Sequence, residues 1–153
     1  MANRMAREFR RLVEMLEQIG VDVIEEGKKA LELESHRIVR DAENLTPVNT
    51  GNLKGTWYTN RIKRVADGWE KEVGNSAKYA SEIEFGFRSH FVPGYWVGNS
   101  FVYDRNAGKG MYVGPKDGYV QGKYMLHKAT EPTERRIYNH LNRRITQLGR
   151  EMN

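Results

Sequence analysis

Residues 46–57, Thr46-Pro47-Val48-Asn49-Thr50-Gly51-Asn52-Leu53-Lys54-Gly55-Thr56-Trp57, divide the chain into two kinds of sequence. Before them, apolar residues recur at intervals of three and four. After them, aromatics and glycines crowd together. The stretch carries the chemistry of a change of structure. Thr46 has a hydroxyl that can bond backbone at a helix end. Pro47 excludes the helical region for the residue before it. Gly51 supplies a turn at dihedrals other residues resist.

Upstream, Met5, Phe9, Leu12, Leu16 and Ile19 fall on one face and predict a helix over 3–19. Gly20 predicts its end and Asp22 the cap of a second helix over 22–45. Ile24, Gly27, Leu31, Ser35, Ile38, Ala42 and Leu45 form the stripe of that helix.

Downstream, 14 of the 16 aromatics and 12 of the 15 glycines lie between Gly51 and Tyr124, which predicts a β-rich middle over 51–121. Trp57 to Val65, the turn Ala66-Asp67-Gly68 and Trp69 to Val73 read as a hairpin. Residues 76–85 fit either a short helix or a strand. Phe87 to Gly110 reads as short strands with long loops, broken at Pro93-Gly94, Gly98 and Gly108. Met111 to Val113 is a further strand, and Gly114 to Gly118 a turn cluster. The region 122–149 is helical, interrupted at Pro132, with Ile137, Leu141, Ile145 and Leu148 as its stripe. The fold expected is α+β: an antiparallel sheet of about four strands packed by the long N-terminal helix and a C-terminal helix.

At 153 residues the chain fits one domain, 1–153, able to bury a core without metals or disulfides. With 39% hydrophobic and 29% charged residues it has a globular composition, not that of a disordered chain. It has no cysteine, which removes disulfide and thiolate chemistry. No signal-peptide core and no run near the ~18 apolar residues of a membrane span is visible, so a soluble, unsecreted protein is expected. The net charge of +5 is mild and permits contact with nucleic acid without demanding it.

The residues offer little catalytic chemistry. His36, His90, His127 and His140 have no partner at metal-ligand spacing except Glu32 with His36, which reads more simply as an ion pair on a helix. No nucleophile elbow exists, and Ser89-His90 are adjacent residues that point apart on an extended chain. Residues 106–110 lack the glycine and hydroxyl that complete a phosphate loop. Glu82 and Glu84 would share one face of a strand and could serve a small metal-dependent nuclease, with Glu70-Lys71-Glu72 a superficial match. Arg136, Arg143 and Arg150 recur every seven residues, turned ~20° from one another, and predict a basic face opposite the apolar stripe. Such a face could meet nucleic-acid phosphates, although Glu134 and Glu151 dilute it.

Three segments together resemble the tail-component family of long-tailed double-stranded DNA bacteriophages, the tail-completion, head-tail joining and minor tail proteins. The first is 46–57, through Thr46, Pro47, Val48, Thr50, Gly51, Leu53 and Trp57. The second is 76–86 (SAKYASEIEFG), through Tyr79, Ala80, Glu84, Phe85 and Gly86. The third is 122–129 (GKYMLHKA). Phe87 departs from the small residue the family places after Glu-Phe-Gly, and the aromatic stretch to Gly110 is longer than in the family.

The resemblance implies a non-enzymatic virion protein with no cofactor, no metal and no catalytic residue. It implies a homo-oligomeric ring, a hexamer, at the head–tail interface, made in the bacterial host's cytoplasm. Head connector and tail-tube proteins are the partners it implies. Phe91, Tyr95, Trp96, Phe101 and Tyr103 are candidates for a docking loop, since exposed aromatics mark interfaces. The alternatives are a nucleic-acid-binding protein using the arginine face and, behind it, the nuclease.

Overall fold

The computed structural model describes the backbone of residues 2–48, 51–116 and 118–151, with side chains from residue 11 onward apart from 12, 15 and 16. Thr50 and the side chains of Met5, Phe9, Leu12 and Leu16 lie outside the described residues. The chain has the expected α+β architecture of helices and small antiparallel sheets.

A single helix, α1, runs over Ala2–Leu45, so the break expected at Gly20 does not occur. A glycine inside a helix costs only about 1 kcal/mol, and nothing else at this point stops the ladder. Asp22 does not cap a new helix. It accepts a hydrogen bond from Gln18 Nε2 at 3.1 Å, one turn earlier, so side chains bridge the glycine. At 44 residues, α1 spans about 66 Å.

The buried line of α1 passes through Ala30, Glu34, Ser35, Ile38, Ala42 and Thr46. Ile24 and Leu45, expected in the stripe, are about half exposed, and the buried line lies in the C-terminal part of the helix. Small residues on that line let other helices approach closely. Two short helices, α2 (Ala80–Phe85) and α3 (Met125–Thr130), precede the last one, α4 (Thr133–Glu151). Pro132 separates α3 from α4, as expected. Ala129 of α3 joins Ile38 and Ala42 in the core, with Trp57, Val73 and Leu126 packed against them. In α4, Leu148 is buried but Ile145 is half exposed.

The hairpin after residue 57 forms in two stages. Strands β1 (Trp57–Thr59) and β4 (Val73–Asn75) pair next to the core, and β2 (Lys63–Val65) and β3 (Gly68–Glu70) pair at the tip. Residues Ala66-Asp67 make the turn expected there. Strand β5 (Gly86–Arg88) pairs with β9 (Tyr119–Gln121).

Between them, β6 (His90–Val97) pairs along one half with β8 (Gly110–Val113) and along the other with β7 (Ser100–Tyr103). The long loops expected in this stretch are mostly a three-stranded sheet. Gly98-Asn99 is a two-residue hairpin turn between Val97 and Ser100. Pro93-Gly94 lies inside β6 where it changes partner: Gly94 N donates to Lys109 O on one side, and Pro93 O accepts from Asp104 N on the other. A proline is tolerated at such a handover because no ladder bond needs its missing N–H.

Candidate functional site

The three segments singled out in the sequence meet at the end of α1. Thr46 donates its hydroxyl to Ala42 O at 2.6 Å and accepts the indole N–H of Trp57 at 2.8 Å. One buried side chain thus closes the helix and fixes the first residue of β1. Pro47 and Val48 follow as exposed residues. Gly51 takes φ +80° and accepts from the Gly55 amide, while Leu53 is buried beneath the turn.

The second segment is tied to the first by hydrogen bonds. Asn75 donates to Leu53 O at 2.8 Å and accepts from the Thr56 hydroxyl and the Ala77 amide. Asn52 donates to the Tyr79 hydroxyl, and Ser76 N to Thr56 O. Asn52 and Asn75 escaped the sequence reading, since an asparagine in a turn gives no sign that its partners lie some twenty residues away.

Glu84 belongs to helix α2, not to a strand, so it shares no strand face with Glu82. Its carboxylate is buried and accepts the backbone N–H groups of Leu126 and His127, each at 3.1 Å. It therefore caps α3 from a distance of some forty residues. A cap is needed because Tyr124, the residue before α3, sits at φ +53° and offers no side-chain cap of its own. Glu82, by contrast, is exposed and bonded to Ser81.

Gly86 is held at φ +82°, and a Cβ there would lie 2.3 Å from Val120 O. The approach of 122–124 to α2 explains this: Lys123 N donates to Ile83 O and Tyr124 N to Glu84 O. Phe85 is 62% exposed, and Tyr79 and Ala80 sit at the start of α2. Phe87, the departure from the family pattern, lies in β5 opposite Val120, where a large side chain is only partly covered.

The arginine face is not continuous. Arg136 turns inward and pairs with Glu34 at 2.6 Å, and Arg37 holds the other oxygen of Glu34 at 2.6 Å. Arg143 and Arg150 remain exposed, with Arg143 Nε donating to Asn139 O. The spacing of seven was right, but a buried acid on α1 claims the first arginine. Glu34 is flanked by Ala30 and Ile38 at intervals of four, so an acid inside an apolar stripe was the legible signal. About two turns earlier on α1, Glu26 receives His140 at 3.2 Å and Lys29 at 2.8 Å. Its carboxyl is held below the usual range, first by the Lys29 hydrogen bond and then by that of His140.

The remaining candidates for chemistry are dispersed. His36 lies 3.1 Å from Glu32, whose other oxygen meets the buried ammonium of Lys71 and so ties α1 to the hairpin. These two partners, Lys71 first, lower the Glu32 carboxyl. Glu70 pairs with Lys63, Lys71 with Glu32, and Glu72 bonds Tyr58 and Asn60, so 70–72 points at four separate partners. His90 contacts the Arg88 carbonyl, and His127 lies against Tyr124. Asp104 organises the turn at 104–107. Among the described residues, no three acidic or histidine side chains gather where they could hold a metal ion. Nor is any described helix long and apolar enough to cross a membrane.

The aromatic candidates lie on the β7–β6–β8 sheet, here termed the arm. Partners across an antiparallel pair share a face. Phe91 and Tyr112 stack edge-to-face at 5.5 Å on one face, which Tyr95 shares. Trp96 and Phe101 do so at 5.4 Å on the other, which Tyr103 shares. Gly94 and Gly110 lie beneath the Phe101 and Phe91 rings, where any Cβ would collide. The rings nevertheless face solvent: Tyr103 is 64% exposed, Trp96 59%, Tyr95 50% and Phe91 48%. The arm packs on itself and has no extensive contact with any helix among the described residues.

Buried polar side chains in this molecule fasten elements together, and a cluster of its exposed aromatic ones lies on one small sheet that packs mainly on itself. That is the profile of an assembly component. The chain belongs to the HK97-gp10-like family, described as "Bacteriophage HK97-gp10, putative tail-component", whose profile matches residues 8–86, just over half of the chain. It is thus a structural phage tail component, and its place is in the virion. The match takes in the first two motif segments and ends at Gly86. No curated protein and no solved structure matches the chain.

Proposed function

We propose that this tail component is a ring-forming subunit that completes the tail and joins it to the head. The whole chain, 1–153, acts as one domain, and copies of it close into a homo-hexameric ring between the head connector and the tail-tube proteins. It catalyses no reaction and carries no cofactor. The subunit is made in the bacterial cytoplasm and ends at the head–tail interface. The observation that carries this reading is the arm, a sheet whose aromatics are exposed on both faces. A folded monomer has no use for such a surface, whereas a subunit whose neighbours cover it does.

The nucleic-acid reading has less support once Arg136 pairs with Glu34, since only Arg143 and Arg150 of that face stay exposed and give a small footprint. The ring reading expects phage lacking this gene to produce separate heads and tails, rejoined when the chain is supplied. Electron microscopy of lysates checks this. Normal joined particles from the deletion, or particles stalled before any tail forms, would refute it.

A further inference from the structure

We propose that the arm of one copy seats in a groove on the next copy, between α1, α4 and the tip of the β2–β3 hairpin. This rests on the ring reading above and names the contact that would close the ring.

The groove has a volume of about 270 Å³ and is lined by Ile24, Gly27, Leu31, Trp69, Ile137 and Leu141. An apolar cavity of roughly 150 Å³ accepts benzene, so this one can admit a larger ring. Ile24 on its rim is 50% exposed, with no neighbour of its own to cover it. Gly27 keeps the wall low, because a Cβ there would meet nothing within 4 Å. Lys28 lies 4.0 Å from the Trp69 ring and holds the hairpin tip over the helix.

The arm supplies the matching part. Trp96 and Val97 flank the Gly98-Asn99 turn at its tip, and each is 59% exposed. Covering the exposed parts of Phe91, Tyr95 and Tyr112 on one face, with Trp96 at the tip, removes roughly 400 Å² from water, taking about 100 Å² for each half-exposed ring. That is about half of the ~800 Å² per partner that a stable interface buries.

Charge favours the same pairing. Residues 86–113 carry Arg88, Arg105 and Lys109 against Asp104, a net +2. Residues 13–36 carry seven acids against Lys28 and Lys29, a net −5, and α4 carries five arginines against Glu134 and Glu151, a net +3, so the two helices that wall the groove sum to −2. Within one copy the arm makes no extensive contact with α1, α4 or the β2–β3 tip among the described residues. The arm follows α2 and β5, and Glu84 of α2 caps α3, whose Ala129 packs with Ala42, whereas the groove lies 11–18 residues earlier on α1, about 16–27 Å along the helix. A projection and a socket at different places make a head-to-tail contact, which generates a ring when the rotation closes.

The natural chain has no cysteine, so introduced ones report single contacts. Asn99→Cys marks the arm tip and Val21→Cys the groove rim, joined by a short bis-maleimide in the purified full-length chain and in particles. The proposal expects each variant alone to stay uncrosslinked, their mixture to give dimers, and the double variant to give a ladder up to the closed ring. Trp96→Ser and Ile24→Asp should each abolish the crosslink, with the thermal melt of the Trp96→Ser chain unchanged. Asn99→Cys crosslinking to itself would mean arm-to-arm pairing and overturn the proposal. Capture of another virion protein by Asn99→Cys would overturn it too. Rings without the mixed crosslink would sink this contact and leave the ring reading intact. No oligomer in either setting would sink both.

Discussion

The junction at the end of α1 and the arm are built from opposite materials. At the junction, polar side chains are buried or half-buried and engaged: Thr46, Asn75 and Glu84 each hold two or more partners. On the arm, large rings are exposed, and their contacts are with one another. The first pattern stabilises a single chain. The second leaves apolar area uncovered, which raises the free energy of the isolated subunit and lowers that of an assembly. Substitutions should therefore separate stability from assembly according to region.

The largest loss of stability is expected from Glu84→Ala, at about 3 kcal/mol, because two amides at the α3 N-terminus lose a charged acceptor inside the protein. Chemical denaturation measures it. A loss below 1 kcal/mol would show that water replaces the carboxylate and that the junction is looser than described.

Arg136→Ala comes next, at about 2 kcal/mol, since it removes one of the two cations held by buried Glu34. A Glu34→Gln change on that background should recover part of the loss. If it deepens the loss instead, Glu34 is stabilised by groups other than Arg136.

Tyr103→Ser should shift stability by no more than about 0.5 kcal/mol, as expected of an exposed position. Sedimentation should nonetheless show weaker self-association. A variant that unfolds would place Tyr103 in the core and erase the contrast between the regions.

The smallest effect is electrostatic. The Glu26 carboxyl titrates below its ordinary value, so its contribution is present above the unfolded pKa and is lost as pH falls through the folded one. Glu26→Gln should therefore melt slightly below the parent at pH 7, and the gap should close in acid. A gap that widens in acid would reverse the assigned sign.

Much of the junction could be read in advance. Thr46-Pro47 had to end a helix, and Gly51 had to turn, because these are properties of the residues themselves. The hairpin turn at 66–67 and the interruption at Pro132 were legible for the same reason. The continuity of α1 was not, because a lone glycine is a weak stop and the Gln18–Asp22 bridge that spans it shows only once the helix exists. The sheet hidden in 87–113 was also obscured. Pro93 and Gly94 look like breakers until β6 is seen to change partners between them. Glu84 was read as one of a pair with Glu82 because strand periodicity was assumed, and helix α2 sends the two carboxylates apart.

The sequence by itself determined where α1 ends, where the chain turns at Gly51 and at 66–67, and the family the motifs point to, since these follow from the local preferences of the residues. Only the tertiary structure decided which charges are free. Whether Arg136 meets solvent or Glu34, and whether Glu84 faces water or caps α3, depends on what another part of the chain brings within about 3 Å. Hydrogen bonds form only at about that distance, and the local sequence does not say which distant part of the chain will come that near.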